Sequence, residues 1–134
     1  MSKVERFEDI RAWQAARALT NLVYDITLEG RFSQDFDLKD QMRAAAGSIM
    51  HNIAEGFGCG SDAEFSRFLR IARRSASEVQ SQLYLALDRK YIDQSQFQIV
   101  YDKATEIKKL INAFIAYLRP KNPSSKRLND QLTK

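Results

Sequence analysis

One cysteine in 134 residues leaves no partner for an internal disulfide, and with one histidine no Cys/His spacing resembles a zinc site. Glycine and proline are also scarce, at five and two. Strand-rich folds of this length need more turn punctuation, so the composition leans towards helix. No apolar run approaches the roughly 18 residues of a membrane span, so no membrane partner is expected. The opening MSKVERFEDIRAW is charged and amphipathic, with no apolar h-region and no small-residue cleavage site. A secretory signal is therefore not expected, and the cytoplasm is the expected compartment.

What remains is ordinary soluble composition, 44% apolar and 28% charged, in a chain long enough for one domain with a real core. The formal net charge is +4, and its placement says more than its size. After Leu118 come Arg119, Lys121, Lys126, Arg127 and Lys134 against Asp130 alone. That tail takes five of the 21 basic groups and one of the 17 acidic ones, leaving 16 of each on the body. The division expected is a bundle over residues 1–118 and a basic, disordered tail over 119–134.

Four periodic segments fill the body. Ala12, Ala16, Leu19, Val23 and Ile26 form one stripe, and Leu38, Met42, Ala45, Ile49 and Ile53 a second. Phe65, Leu69, Ala72, Ala76, Val79, Leu83 and Ala86 follow alternating spacings of four and three, as do Phe97, Val100, Ala104, Ile107, Ile111, Phe114 and Leu118. Such seams belong to helices packed at a shallow angle. Short connections between them predict an all-α fold, an antiparallel up-and-down four-helix bundle.

Boundary chemistry agrees. Ser61 and Glu64 read as a capping box, and Asp93 with Gln96 as a weaker one. Gly30 is expected to close the first helix and Gly56 the second, while Pro120 and Pro123 stop the fourth. Within the second helix lies Ala44-Ala45-Ala46-Gly47-Ser48. An interior glycine costs about 1 kcal/mol relative to alanine, so a close neighbour, internal or from another subunit, is expected to use the space. Phe68, Ile71, Leu85, Tyr101, Leu110 and Tyr117 lie off the seams, a surplus that a subunit interface, or else an unusually wide core, would absorb.

The stretch HNIAEGFGCGSDAE, residues 51–64, gathers the histidine, the cysteine and three glycines. His51 and Glu55 share a helical face, but two ligands without a third residue make no metal site. Cys59 lacks a general base at hand, and GFGCG lacks the strand and the G-K-[ST] of a phosphate loop. No catalytic, cofactor or metal site is expected, and a hydrolase built on His51, Cys59 and Glu55 ranks last. Glu55 stands near a helix C-terminus, where the dipole disfavours a carboxylate, and is expected to pair with an arginine of this chain or of another subunit.

Arginines are the strongest charge feature. Arg67, Arg70, Arg73 and Arg74 occur between Glu64 and Glu78 with no acid among them. Arg67, Arg70 and Arg74 share one ridge, which Arg43 is expected to extend. Guanidinium groups suit phosphate contacts, so a nucleic-acid surface stands beside the alternative of a solvated face paired with acids of adjacent helices.

These segments resemble the four-helix bundle family of 23S rRNA intervening-sequence proteins. The opening block matches at Phe7, Asp9, Ile10, Trp13 and Gln14, and Q-M-R-A-A-A-G-S-I-M-H-N-I-A-E-G matches at Gln41, Met42, Arg43, Ala45, Ala46, Ser48, Ile49, Asn52, Ile53, Ala54, Glu55 and Gly56. A third block matches at Glu64, Phe65, Phe68, Leu69, Ile71, Ala72, Ser75 and Glu78. Ala44, Cys59 and Arg74 depart from the pattern, losing basic character at the first two and gaining it at the third. The resemblance implies a ring-like homopentamer without enzymatic activity. It is also similar to the accessory proteins of diversity-generating retroelements, which implies RNA or DNA and a reverse transcriptase as partners. Gln41, Ser48, Asn52, Glu55, Gly56 and Glu78 are the motif residues expected at structural or interface positions. The rival reading is an oligomeric scaffold whose arginines make subunit salt bridges.

Overall fold

The computed structural model describes residues 4–120. A single 3-10 turn, Phe7–Asp9, leads into α1 (Arg11–Thr27), followed by a second 3-10 turn (Gly30–Gln34) and then α2 (Phe36–Phe57), α3 (Asp62–Asp88) and α4 (Gln94–Tyr117). Each helix packs against its neighbours in sequence, and α1 also packs against α4, so the four close into a bundle. Cross-helix contacts fix the directions. Thr20 reaches the Ala46 carbonyl while Thr27 meets Arg43, Ser48 meets Ser75 while Gly56 abuts Phe65 and Phe68, and Arg73 meets Asn112 while Gln80 meets Thr105. Numbers rise along one helix as they fall along the next. The arrangement is up-and-down and antiparallel, as the short connections require.

The stripes on α1, α2 and α3 are buried at every position named from the sequence. On α4 the seam runs through Phe97, Val100, Ala104, Ile107 and Ile111 to Ile115, whereas Phe114 and Leu118 are half-buried. A helix of 3.6 residues per turn drifts from a strict seven-residue repeat, and by its third heptad the core position has moved one residue on. The α4 helix ends at Tyr117 with Leu118 as its cap. Beyond Arg119 and Pro120, the basic segment expected over 119–134 lies outside the described residues.

Boundaries depart from expectation in informative ways. The Asp93 carboxylate accepts from the Gln96 N–H at 2.8 Å and the Gln96 side chain accepts from the Asp93 N–H at 3.0 Å, a complete capping box. At Ser61 only half forms: its hydroxyl accepts from the Glu64 N–H, while the Glu64 carboxylate turns outward to Arg67. Gly30 has a left-handed φ of 50° but opens the 3-10 turn rather than capping α1, whose cap is Leu28. Nor does Gly56 end α2, which runs on to Phe57 and is capped by Gly58.

Phe32 from the α1–α2 connection is fully buried and stacks on Tyr91 from the α3–α4 connection at 5.1 Å. Tyr91 donates its hydroxyl proton to Asp35 Oδ2, and Asp35 Oδ1 caps α2 by accepting from the Leu38 N–H. One carboxylate thus starts a helix and ties the two connections together.

Candidate nucleic-acid interface

The outer side of α3 is set by what its other sides do. Phe65, Leu69, Ala72, Ala76 and Val79 face the core. Ser75 and Phe68 turn to α2, and Arg73, Gln80 and Tyr84 turn to α4. Arg67, Arg70 and Arg74 are left on the remaining face, all exposed. At 1.5 Å per residue this ridge is about 10 Å long. Arg67 makes a 3.1 Å ion pair with Glu64 and lies over the Phe68 ring. Among the described residues no acid lies within ion-pair distance of Arg70 or Arg74.

Two arginines leave the ridge. Arg73 is half-buried and donates to Asn112 Oδ1 at 2.7 Å, joining α3 to α4. Arg43 does not extend the ridge either. It lies on the α1 side of α2, where its Nε donates to Thr27 Oγ1 at 2.8 Å and its guanidinium stacks on Tyr24 at 4.4 Å. Its Nη2 is buried without an acceptor among the described residues. Residue 43 falls on the flank of α2 opposite the one that carries Ser48 and Asn52 towards α3, which spacing alone could show only once the handedness of the bundle was known.

The motif residues divide in the same way. Asn52 Nδ2 donates to both the carbonyl and the hydroxyl of Ser48, and the Ser75 hydroxyl donates to Ser48 Oγ at 3.0 Å. This small polar chain holds α2 to α3. Gly56 serves the same seam, since a Cβ there would come within 2.7 Å of Phe68 Cβ and 2.9 Å of Phe65 Cδ1. Glu78 is exposed and accepts from Gln82 Nε2, and Gln41 is exposed. Glu55 is exposed too, and the ion pair expected within the chain is absent among the described residues. Among the described residues Gly47 has no other helix against it, and a Cβ there would meet only the His51 ring, at 3.6 Å. His51 and Cys59 are exposed, and no cluster of three metal-ligating side chains occurs among the described residues.

A family model described as 23S rRNA-intervening sequence protein matches residues 8–113, most of the bundle. The chain belongs to that family. It is similar to a solved protein of unknown function from the S23 ribosomal protein family of Bacteroides thetaiotaomicron. The two share 26% identity over 78% of this chain and 94% of the other, with a TM-score of 0.71. No curated protein matches the chain. Within the matched span, Gly56 is buried and Asn52 half-buried, while Glu55 is presented to solvent.

Some contributors gave little sign in the sequence. Gln80 is buried, donating to the Tyr101 carbonyl and Thr105 Oγ1 while its Oε1 accepts from Lys108 Nζ at 2.9 Å. Its place directly beside Val79 on the seam was the available signal. Arg119 reads as part of a basic tail, yet it lines a cleft at the end of the bundle with Arg70.

Proposed function

We propose that this protein is a non-enzymatic, cytoplasmic, homo-oligomeric bundle that binds RNA or DNA through the outer face of α3. The observation that carries the reading is the ridge of Arg67, Arg70 and Arg74, exposed on one face with only Arg67 paired to an acid among the described residues. Guanidiniums held on a rigid helix at helical spacing meet phosphates without further ordering of the backbone, and such contacts supply sequence-independent affinity. Assembly as a pentamer, and a reverse transcriptase as a protein partner, rest on the family resemblance.

Exposed apolar side chains support self-association. Leu28, Phe36, Tyr84, Leu85 and Ile99 are each half or more exposed. A second reading, the oligomeric scaffold, is favoured by Glu55, an exposed carboxylate near a helix C-terminus with no cation beside it in its own chain among the described residues. There the arginines of one subunit would pair with Glu55 of the next.

Light scattering of the protein alone and with a short RNA separates the two. The nucleic-acid reading expects an oligomer whose mass rises by bound RNA and whose assembly survives Arg67→Gln with Arg74→Gln. Collapse of the oligomer in that double variant, with no RNA uptake by the parent, supports the scaffold.

A further inference from the structure

A cleft of ≈ 610 Å³ opens where the start of α3 meets the end of α4. Asp62, Ala63, Ser66 and Arg70 line one side, and Tyr117 and Arg119 stand on the other. Ser66 is the decisive residue. It is 9% exposed and lines the cleft, yet its hydroxyl has no hydrogen-bond partner among the described residues. Hydroxyls of Thr20, Thr27 and Ser75 elsewhere in the bundle are all bonded. The residue is largely buried while its hydroxyl oxygen stays open to the cleft, where it is placed to meet water or a ligand.

The surroundings specify the ligand's charge. Asp62 and Ala63 are the first two residues of α3, so their backbone N–H groups have no carbonyl one turn earlier. The Ser61 cap takes the N–H of Glu64, and those two have no partner among the described residues. A helix start bearing free N–H groups favours an anion. Arg70 and Arg119 add two guanidiniums, neither within ion-pair distance of an acid among the described residues. The Asp62 carboxylate opposes them, leaving the cleft net positive.

We propose that this cleft binds a phosphoryl group, the terminal phosphate of a nucleic-acid strand. Its charge of about −1.5 to −2 at neutral pH matches two guanidiniums and a helix start set against one carboxylate. Free N–H groups of Asp62 and Ala63 and the Ser66 hydroxyl donate to its oxygens, and the partly exposed Tyr117 ring offers a face to the adjoining base. The choice of a strand as the phosphate's source rests on the nucleic-acid reading above; the anion site itself does not.

The test uses the full chain with a 5′-phosphorylated oligonucleotide, its 5′-hydroxyl twin, and inorganic phosphate. The expected result is tighter binding of the phosphorylated strand by about tenfold or more, the effect of hydrogen bonds to a charged group. The ratio should fall towards one in Ser66→Ala and in Arg119→Gln, and rise in Asp62→Asn. Inorganic phosphate should move the amide NMR signals of Asp62 and Ala63. Equal binding of both strands together with unmoved amides overturns the proposal while leaving the ridge reading intact. Moved amides with no preference between strands overturn the strand end as the source and support a small phosphate ligand. Moved amides with no binding of either strand uphold the anion site and sink the nucleic-acid reading.

Discussion

Gly56 stands so close to Phe68 that a Cβ on it would lie 2.7 Å from Phe68 Cβ. The contact sits where α2 and α3 approach, just before the turn that joins them, and Phe65 closes the space from the other side at 2.9 Å. Glycine at this point therefore sets the distance between two helices.

Gly56→Ala should destabilise the fold by about 1 kcal/mol, because overpacking of about 2 kcal/mol outweighs the roughly 1 kcal/mol that alanine gains as a helix former. Urea unfolding measures it. A variant as stable as the parent would show that α2 and α3 can part at no cost.

Gly47 is the opposite case. Among the described residues a Cβ there meets only the His51 ring, at 3.6 Å, so Gly47→Ala should stabilise the isolated bundle by about 1 kcal/mol through helix propensity. If a neighbouring subunit uses the space, the same change weakens assembly while the fold gains. Unfolding and sedimentation on one sample read both effects. Unchanged assembly would mean that the small face of α2 is free of contacts between subunits.

Lys90 ends α3 in the left-handed region at φ 61°. The Tyr91 N–H bonds to the Ala86 carbonyl and the Lys90 N–H to the Leu87 carbonyl, the paired bonds of a Schellman motif with a lysine where glycine is usual. Relief of left-handed strain should make Lys90→Gly more stable by about 1 kcal/mol. Thermal unfolding checks this, and a lower midpoint would contradict it.

The seams, the number of helices and both N-caps were legible in the sequence because burial repeats and caps are local. What depends on the direction of a helix face was not. Arg43, Arg67 and Arg70 look alike along the chain, but Arg43 turns to Tyr24 and Thr27 on α1, and only the other two reach the outer face of α3. Gly56 read as a helix stop because a glycine followed by a glycine-rich turn usually is one; its packing role needed Phe65 and Phe68 in space. Likewise Arg119 belonged by composition to a tail and by position to the cleft.

Ion release gives the central claim its most direct measurement. Binding of a short single-stranded RNA is titrated by anisotropy across salt concentrations for the parent and for Arg67→Gln with Arg74→Gln. The account expects a straight line of log affinity against log salt, with the double variant losing about 0.7 of slope per arginine, together about 1.4. Arg70 is left in place, so the cleft between α3 and α4 does not confound the result. No binding at low salt, or an identical slope in the double variant, would contradict the outer face of α3 as the nucleic-acid surface.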